Sequence, residues 1–180
     1  IARGKILETA ICTTIKSISR DEWEACRSSR AGGDPFLSYD FFFLLETSNS
    51  VGPKTGWIPF YIIFKEKNIV VGIIISFLKN HSQGEYVFDH SWADAYERSG
   101  GNYYPKLQVA VPFTPVSGER ILVQSEYEDK VGEMISSAKR LVEENNLSSL
   151  HITFCSKTFV SVAKKNNLLV REGIQYHWSN

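Results

Sequence analysis

Cysteine is scarce in this chain, and the three that occur form no recognisable site. Cys12, Cys26 and Cys155 are widely spaced, and no C-x-x-C pair is present. Their odd number argues against a disulfide framework, and their spacing argues against a zinc knuckle. The sequence therefore predicts buried, reduced thiols.

The chain also lacks an excess of charge of either sign. Twenty Lys and Arg residues balance 20 Asp and Glu residues, so the formal net charge is zero at pH 7. A protein that binds a polyanion usually carries a basic patch, and the overall balance gives no sign of one. A dedicated nucleic-acid-binding protein is therefore disfavoured, although a local basic patch is compatible with this balance.

No hydrophobic run is long enough to cross a membrane. The longest, Ile69 to Leu78 (IVVGIIISFL), has half of the roughly 20 residues that a spanning helix needs. The first residues also lack the apolar stretch of a secretory signal peptide. We therefore expect a soluble protein in the cytoplasm.

The length fits one domain, yet both ends look incomplete. The 180 residues, of which 43% are hydrophobic and 22% charged, suit a single compact domain. Position 1 is Ile, the sole methionine is Met134, and the last residues directly follow a strand-like run. We expect the chain to be a fragment of a longer protein.

Local patterns predict strands alternating with helices. Capping boxes at Ser19 and Ser125, each with Glu three residues later, begin two helices, and Ser38 and Ser156 cap two more. Runs of β-branched and aromatic residues predict the strands. The predicted helices cover 19–29, 39–47, 91–98, 126–146 and 156–165, and the predicted strands cover 9–18, 57–64, 69–78, 86–88, 107–111, 150–154 and 168–170.

The order of these elements predicts the fold class. The runs 57–64 and 69–78 are apolar on both faces, which indicates an antiparallel hairpin buried between layers. The last third alternates strand and helix, which predicts parallel pairing with right-handed crossovers. We therefore expect an α/β protein, a mixed sheet flanked by helices in the order β-α-α-β-β-(insert)-β-α-β-α-β, which is the layout of the GNAT acyltransferase fold.

The insert at residues 80–106 is the segment with the most chemistry. A loop this long in a compact domain is usually functional, and its residue types suit a pocket. The groups that can titrate or hydrogen-bond are His81, Glu85, Asp89 and Lys106, and the aromatic groups that can wall a pocket are Tyr86, Phe88, Trp92, Tyr103 and Tyr104. The alternative is a second hydrophobic cluster under a long loop, with the charges on its solvated rim.

The same stretch resembles a known family. The segments HSxGEYVFDxxWAxAY at 81–96 and GxxYYPKLxxAVPFTPVxGxR at 100–120 are similar to motifs of FemAB-like proteins, described as peptidoglycan biosynthesis or recognition proteins of the GNAT superfamily. The similarity spans roughly positions 35 to 178. Further matching segments are 35–38, 45–48, 55–59 and the ending 171–178 (REGIQYHW).

The resemblance implies a GNAT fold and a function. The implied activity is transfer of an acyl or aminoacyl group to an amine, with acyl-CoA or an aminoacyl-tRNA as the expected donor and a small molecule or peptide as the expected acceptor. They also resemble two tandem lobes, so the resemblance implies that residues 1–180 are the N-terminal lobe and that a second lobe follows. No permanently bound cofactor is implied.

The chemistry of amide formation suggests roles for individual residues. An attacking amine must lose a proton, so the reaction needs a base and a hydrogen-bond donor for the carbonyl oxygen. Glu85 and Asp89 are the candidate bases, Tyr104 or a strand amide near Val111 the candidate donor, and Lys106 a group that orients an anion. The other predicted substrate-binding residues are His81, Tyr86, Trp92, Phe113, Thr114, Arg120, Gln175 and His177.

Open α/β sheets generally bind ligands at the carboxyl ends of parallel strands, so we expect a crevice at the end of strand 107–111. Its expected lining is Tyr86, Asp89, Trp92, Tyr104, Lys106, Phe113 and Thr114.

One segment departs from the GNAT pattern. GNAT enzymes hold the pyrophosphate of acyl-CoA on a [QR]-x-x-G-x-[GA] loop, whereas Pro115–Arg120 has a single glycine. Arg120 and the amides at the start of helix 126–146 are the remaining candidates for binding an anion. An aminoacyl-tRNA donor needs no such loop, but the neutral charge gives no support for a tRNA footprint.

Other site types are not predicted. The four histidines lack metal-ligand spacing, and no G-x-S-x-G elbow accompanies Ser82. His151 alternates with apolar residues and is either structural or site-lining. A second class of function stays open, because the single-glycine segment favours a non-catalytic lobe that recognises a peptidoglycan-like or peptide ligand.

Overall fold

Two four-stranded sheets that share one long hairpin form the frame of the protein. The computed structural model describes residues 7–87, 89–176 and 178, and for residues 29 and 30 the backbone alone. The strands are β1 (Glu8–Cys12), β2 (Trp57–Pro59), β3 (Tyr61–Glu66), β4 (Ile69–Ile74), β5 (Ser76–Lys79), β6 (Lys106–Val109), β7 (Ile121–Val123) and β8 (Leu150–Ile152). The α-helices are α1 (Arg20–Ala31), α2 (Tyr39–Thr47), α3 (His90–Arg98), α4 (Val131–Glu144) and α5 (Lys157–Lys165).

The predicted hairpin is present, and each of its strands belongs to both sheets. One sheet has the order β1-β3-β4-β7 and the other β2-β5-β6-β8. The two long strands change sheet at Phe60 and Ile75. Lys67 and Asn68 form the turn with φ of 48° and 67°, the left-handed values that a two-residue type I′ turn requires.

Strands β6 and β7 complete the two sheets. β6 pairs antiparallel with β5 and parallel with β8, and β7 pairs antiparallel with β4. Residues 110–120 therefore connect one sheet to the other. β6 and β8 are parallel, with β7 and α4 between them in sequence, which confirms the predicted parallel pairing and the mixed α/β fold class.

Helices cover both faces of the sheets, as the doubly apolar strands predicted. Helices α1 and α2 contribute Trp23 and Phe42 to a core that also contains Tyr61 and Ile63 of β3. Helices α4 and α5 pack on the other face, against a core that includes Ile62 and Phe64 of the same strand. Successive residues of a strand point to opposite faces, so β3 supplies both cores.

The helices α1 and α2 confirm the predictions from their caps. Ser19 Oγ accepts from the Glu22 amide while the Glu22 carboxylate accepts from the Ser19 amide, which is the predicted capping box. Ser38 Oγ accepts from the Phe41 amide, and α2 has the predicted bounds. Leu44 of α2 is exposed to solvent, whereas Phe42 is buried.

Helix α4 begins later than the sequence predicts. Residues Ser125–Lys130 form a 3-10 helix without a side-chain cap, so the capping box predicted at Ser125 does not form, and the α-helix starts at Val131. Helix α5 has the predicted extent, although Ser156 makes no capping hydrogen bond. Helix α3 confirms the predicted helical segment at 91–98.

Three strand predictions need correction. The first strand ends at Cys12, and Ile15–Ser17 form a 3-10 helix. Tyr86 has φ of 55°, which is incompatible with an extended strand, and Phe88 lies outside the described residues. Residues 168–170 are not in a strand, because in the described part of the chain they pair with no neighbouring strand.

Two further expectations concern the burial of the cysteines and the absence of a membrane-spanning helix. All three cysteines are free, but Cys26 alone is buried, whereas Cys12 and Cys155 are partly exposed. No helix in the described part of the chain is long and apolar enough to cross a membrane.

Candidate functional site

One face of the second sheet carries buried polar side chains. Lys79 pairs with Lys106 and Phe77 with Gln108 across β5 and β6, and Gln108 pairs with His151 across β6 and β8. Directly paired residues point to the same face of a sheet. Phe77 belongs to the α1 and α2 core, so the polar side chains continue the face that this core covers. Lys79, Lys106 and Gln108 have no exposed surface.

Lys106 is the centre of this polar group. The insert folds over the sheet, and the Lys106 ammonium donates to Ser82 Oγ at 2.9 Å, Glu85 Oε2 at 2.8 Å and Asp89 Oδ2 at 2.8 Å. An ammonium has three N–H donors, so these bonds use all of them. Lys106 therefore fixes both candidate bases in place.

Asp89 turns inward from the start of α3. It occupies the N-cap position, but its carboxylate makes no capping bond and accepts instead from Lys106 and from the Tyr103 hydroxyl at 2.8 Å. Burial would raise the pKa of Asp89, but the hydrogen bonds, that from Lys106 above all, hold it below its ordinary value. Asp89 is therefore ionised at neutral pH.

Glu85 is less completely bonded than Asp89. Its Oε2 accepts from Lys106, whereas Oε1 has no hydrogen-bond partner among the described residues and lies 4.0 Å from Lys79 Nζ. Burial raises the pKa of Glu85 above its ordinary value, against the opposing effect of Lys106 and Lys79. A carboxylate with a raised pKa and an unused oxygen is suited to accepting a proton.

Lys79 is the site residue that the sequence analysis missed. Its ammonium lies 3.9 Å from the centre of the Trp57 ring and donates to the carbonyl oxygen of Gln83 at 3.1 Å. Burial lowers the pKa of Lys79 to about 8, although Glu85 opposes this effect. The available signal was a lysine at the end of an apolar strand, directly before the insert.

Several buried polar atoms around this group are left unpaired. They lie on the facing strands and on the insert, and none has a hydrogen-bond partner among the described residues: Trp57 Nε1, Glu85 Oε1, Asp89 Oδ1 and Gln108 Oε1. The large majority of buried side-chain polar atoms in native proteins are paired with protein or ordered water. Unpaired donors and acceptors in one place indicate a site that accommodates a ligand or water.

The structure brings part of the predicted site together. Glu85, Asp89 and Lys106 are in direct contact, and the Tyr104 hydroxyl lies 2.7 Å from Ser82 Oγ in the same network. The Phe113 ring contacts Trp57 with 5.4 Å between centroids. The roles given to these residues remain predictions.

Other predicted site residues lie at the edge or elsewhere. Tyr86 and Trp92 are each 55% exposed, and the Arg171 guanidinium lies over the Trp92 ring. The remaining polar members bond locally: His81 accepts from the Gln83 amide, Thr114 donates to the Pro112 carbonyl and Gln175 donates to the Pro115 carbonyl. His177 is outside the described residues.

Arg120 does not fit the predicted anion site. Its buried guanidinium donates to the carbonyl oxygens of Val116, Glu119 and Thr153. Burial lowers the pKa of Arg120 to about 10. The three carbonyl partners hold this group as part of the framework. We therefore correct its role to structural support of the 116–120 segment.

The connection that precedes α4 also departs from the expected phosphate loop. It is the 3-10 helix Ser125–Lys130, which has no glycine and carries Glu126, Glu128 and Asp129. The Tyr127 amide is already used by the Gln124 carbonyl. Three carboxylates repel a pyrophosphate, so the amides at the start of this helix do not form the predicted anion site.

The site also lies at the opposite end of β6 from the one predicted. We expected a crevice at the carboxyl end of β6, but Lys106 is the first residue of β6 and Lys79 the last of β5. Phe113 nevertheless reaches this end, because the segment after β6 brings its ring against Trp57. Among the described residues, no group of three His, Cys, Asp or Glu side chains is placed to hold a metal ion.

Solved structures of similar fold are acetyltransferases. An aminoglycoside N-acetyltransferase, AAC(6')-Iy, in complex with CoA is 12% identical with a TM-score of 0.57, and the similarity covers 99% of this chain and 98% of that one. A ribosomal-protein-alanine N-acetyltransferase from Brucella melitensis biovar Abortus 2308 is 12% identical with a TM-score of 0.53, over 97% of this chain and 100% of that one. These likenesses confirm the GNAT fold.

The sequence matches lead to a family. The sequence model of the FemAB-like proteins, described as peptidoglycan biosynthesis/recognition, matches residues 14–180. No protein of curated function matches the chain significantly.

Proposed function

Because this chain belongs to the FemAB-like peptidoglycan biosynthesis/recognition family and has a GNAT fold, we propose that it is an N-acyltransferase. It would transfer an acyl or aminoacyl group from an activated donor to an amine. The observation that carries this proposal is the buried Lys106 group, in which Glu85 and Asp89 each keep one oxygen that has no hydrogen-bond partner in the described part of the chain.

The two carboxylates are suited to different roles. Asp89 receives hydrogen bonds from Lys106 and Tyr103, which favour its ionised form, so it positions Lys106. Glu85 has the raised pKa and the unused Oε1, so it is the better proton acceptor for an attacking amine. The proposal therefore separates the two predicted bases into one base and one positioning residue.

Two classes of acyl donor are candidates for this reaction. The acetyltransferase AAC(6')-Iy has been solved with CoA and with a bisubstrate analogue, CoA-S-monomethyl-acetylneamine. The acidic 3-10 helix Ser125–Lys130 does not fit the pyrophosphate of CoA. An aminoacyl-tRNA donor needs no pyrophosphate loop, whereas the zero net charge gives no support for tRNA. Both donors therefore belong in the test.

A second candidate function is ligand recognition without catalysis. The acidic connection before α4 favours it, because a lobe that only binds a peptidoglycan-like or peptide ligand needs no site for a donor. The unpaired buried polar atoms suit such a ligand as well as a substrate. The two functions differ in whether a covalent product forms.

The test is formation of an amide by the full-length protein. Acetyl-CoA and alanyl-tRNA are each offered with free lysine, neamine and a peptidoglycan stem peptide, and products are identified by mass spectrometry. We expect one donor class to give an acylated amine, with at least a hundredfold lower rate in Glu85→Gln and no change in the surface variant Glu133→Gln. No product from the wild type with any pair would overturn the proposal.

Ligand-induced stabilisation separates the two functions. A ligand that binds the folded state raises the melting temperature by mass action. A rise with the stem peptide but with neither donor, together with no acylated product, would assign the chain to recognition. A rise with one donor class supports the transferase.

A further inference from the structure

We propose that Lys79 and Glu85 form a two-point subsite in which Lys79 donates a hydrogen bond to the carbonyl oxygen of the acyl donor while Glu85 accepts the proton of the attacking amine. This inference rests on the proposed function and assigns a part of it to a residue with no predicted role. It replaces Tyr104 and the strand amide near Val111 as the donor to the carbonyl oxygen.

The bonding of the two buried lysines supports this division. Lys106 spends its three donors on Ser82, Glu85 and Asp89. Among the described residues, Lys79 donates a single hydrogen bond, to the Gln83 carbonyl, and otherwise faces the Trp57 ring. Of the two ammonium groups, Lys79 therefore has the unused donors.

The partner of Lys79 is equally unsatisfied. Glu85 Oε1 is buried, lacks a hydrogen bond among the described residues and lies 4.0 Å from Lys79 Nζ. This separation is too long for a hydrogen bond. A carbonyl oxygen next to Lys79 and an amine nitrogen next to Glu85 would satisfy both groups at ordinary distances.

The surrounding charges select an uncharged reacting group. Lys79 is faced by Lys106 from β6 and by Glu85 and His81 from the insert, and Asp89 pairs with Lys106. Two ammonium groups and two carboxylates cancel, and burial lowers the pKa of His81, which favours its neutral form. A neutral carbonyl and a neutral amine fit this environment better than a phosphate, which would require excess positive charge.

Phe113 is the partly exposed residue next to the subsite. It is 41% exposed, and its ring packs against Trp57, the residue that Lys79 contacts. Gly84 lies beneath the ring, and a Cβ there would be 2.8 Å from Phe113 and 3.1 Å from Trp57 Nε1. Glycine at this position leaves room beside an indole donor that has no partner among the described residues.

The step balances with these two groups. The amine nitrogen forms a bond to the carbonyl carbon and gives its proton to Glu85, and the carbonyl π electrons move to the oxygen that Lys79 holds. When the oxyanion collapses, the bond to the donor's sulfur or ester oxygen breaks. That leaving group takes the proton from Glu85, which returns to the carboxylate.

The first test uses variants of Lys79 in the full-length protein, with the donor and acceptor that give the most product. We expect kcat to fall by about a hundredfold to a thousandfold in Lys79→Met, with KM changed by less than about threefold, the pattern of a lost oxyanion donor. Lys79→Arg should recover part of the loss, and the exposed Lys157→Met should match the wild type. A kcat for Lys79→Met within about threefold of the wild type would overturn the subsite.

The second test does not depend on turnover. N-methylacetamide carries one carbonyl oxygen and one N–H, and we expect it to shift the NMR signals of the Lys79 ε-methylene and the Glu85 carboxyl carbon. These shifts should be absent for Lys157 and should be lost from Glu85 in Lys79→Met. If N-methylacetamide shifts these signals but the wild type forms no product, the subsite stands and the proposed function is wrong. If saturating N-methylacetamide shifts the signals of neither Lys79 nor Glu85, the subsite is wrong, whether or not the protein is active.

Discussion

Lys79 and Lys106 are direct partners across β5 and β6, so two lysines without exposed surface lie side by side on one face of a sheet. Like charges in directly opposed positions destabilise a sheet, and burial increases the cost. Glu85 and Asp89 offset both charges from the insert, with Lys106 between them. The two buried ammonium groups therefore need the carboxylates of the insert, and the same ion pairs hold the insert on the sheet.

Glu85→Gln should destabilise the protein strongly. The change leaves two buried ammonium groups with one carboxylate, and removing one partner of a buried pair costs about 3–5 kcal/mol. The measurement is the free energy of unfolding in urea at pH 7. The exposed pair of Lys130 and Glu133 supplies the control, because Glu133→Gln should change stability by less than about 0.5 kcal/mol. Equal effects of the two variants would contradict the charged state of the cluster.

The pH dependence of stability should reveal the lowered pKa of Lys79. Its pKa is about 8 in the folded protein and about 10.4 in an unfolded chain, so between these values the unfolded chain binds the additional proton. Stability contributed by Lys79 therefore rises with pH through this window.

A comparison of variants isolates that effect. Cys26, whose pKa burial raises to about 12, acts in the opposite direction because the folded state keeps its proton. Lys79→Met retains Cys26, so the contribution of Cys26 cancels when the variant is subtracted from the wild type. We expect this difference in the free energy of unfolding to rise by about 1–2 kcal/mol between pH 7.5 and 9.5. The same difference for Lys157→Met should stay constant. A flat difference for Lys79→Met would show that Lys79 has an ordinary pKa.

Tyr103→Phe should raise the pKa of Asp89. The Tyr103 hydroxyl donates to Asp89 Oδ2 and favours the ionised carboxylate, so its loss moves the pKa toward the ordinary value. Carboxyl carbon NMR measures the titration. We also expect a stability loss of about 1–2 kcal/mol at neutral pH, which disappears below the pKa of Asp89. Tyr127→Phe, which removes a similar bond to Glu66, should leave the Asp89 titration unchanged.

Gly84→Ala and Gly100→Ala separate crowding from backbone strain. Both glycines have positive φ, 76° and 88°, so alanine meets a similar conformational cost of about 1–2 kcal/mol at each. A Cβ at Gly84 would also clash with Phe113, whereas a Cβ at Gly100 meets nothing within 4 Å. We expect Gly84→Ala to cost about 1–3 kcal/mol more in thermal or urea unfolding. Equal losses would mean that the Phe113 ring moves away freely.

The elements with local signals could be predicted from the sequence. The starts of α1 and α2 are local, because each cap is made within the segment itself. Ser19 bonds with Glu22 at the start of α1, and Ser38 caps α2. The hairpin was equally local, because its turn residues lie between two apolar runs. The residues of the polar group on the insert were also predictable, because their types are unusual for a connection.

The remaining features depend on partners distant in sequence. Lys79 is buried because the insert folds back over β5. The strand itself shows only a lysine at its end, directly before the insert, and this position alone does not predict burial. Arg120 is structural because carbonyl oxygens surround it, including that of Thr153. Residues 168–170 have strand-forming composition, but a strand exists only where a neighbour pairs with it.

The hairpin that crosses at Phe60 and Ile75 links the two halves of the protein covalently and through both cores. A disturbance that opens one sheet pulls on the same strands that hold the other, so partial unfolding of either half is costly. The molecule should consequently melt in one cooperative transition. Native-state hydrogen exchange should then show amides of β3 and β5 opening with the same free energy, although they belong to different sheets.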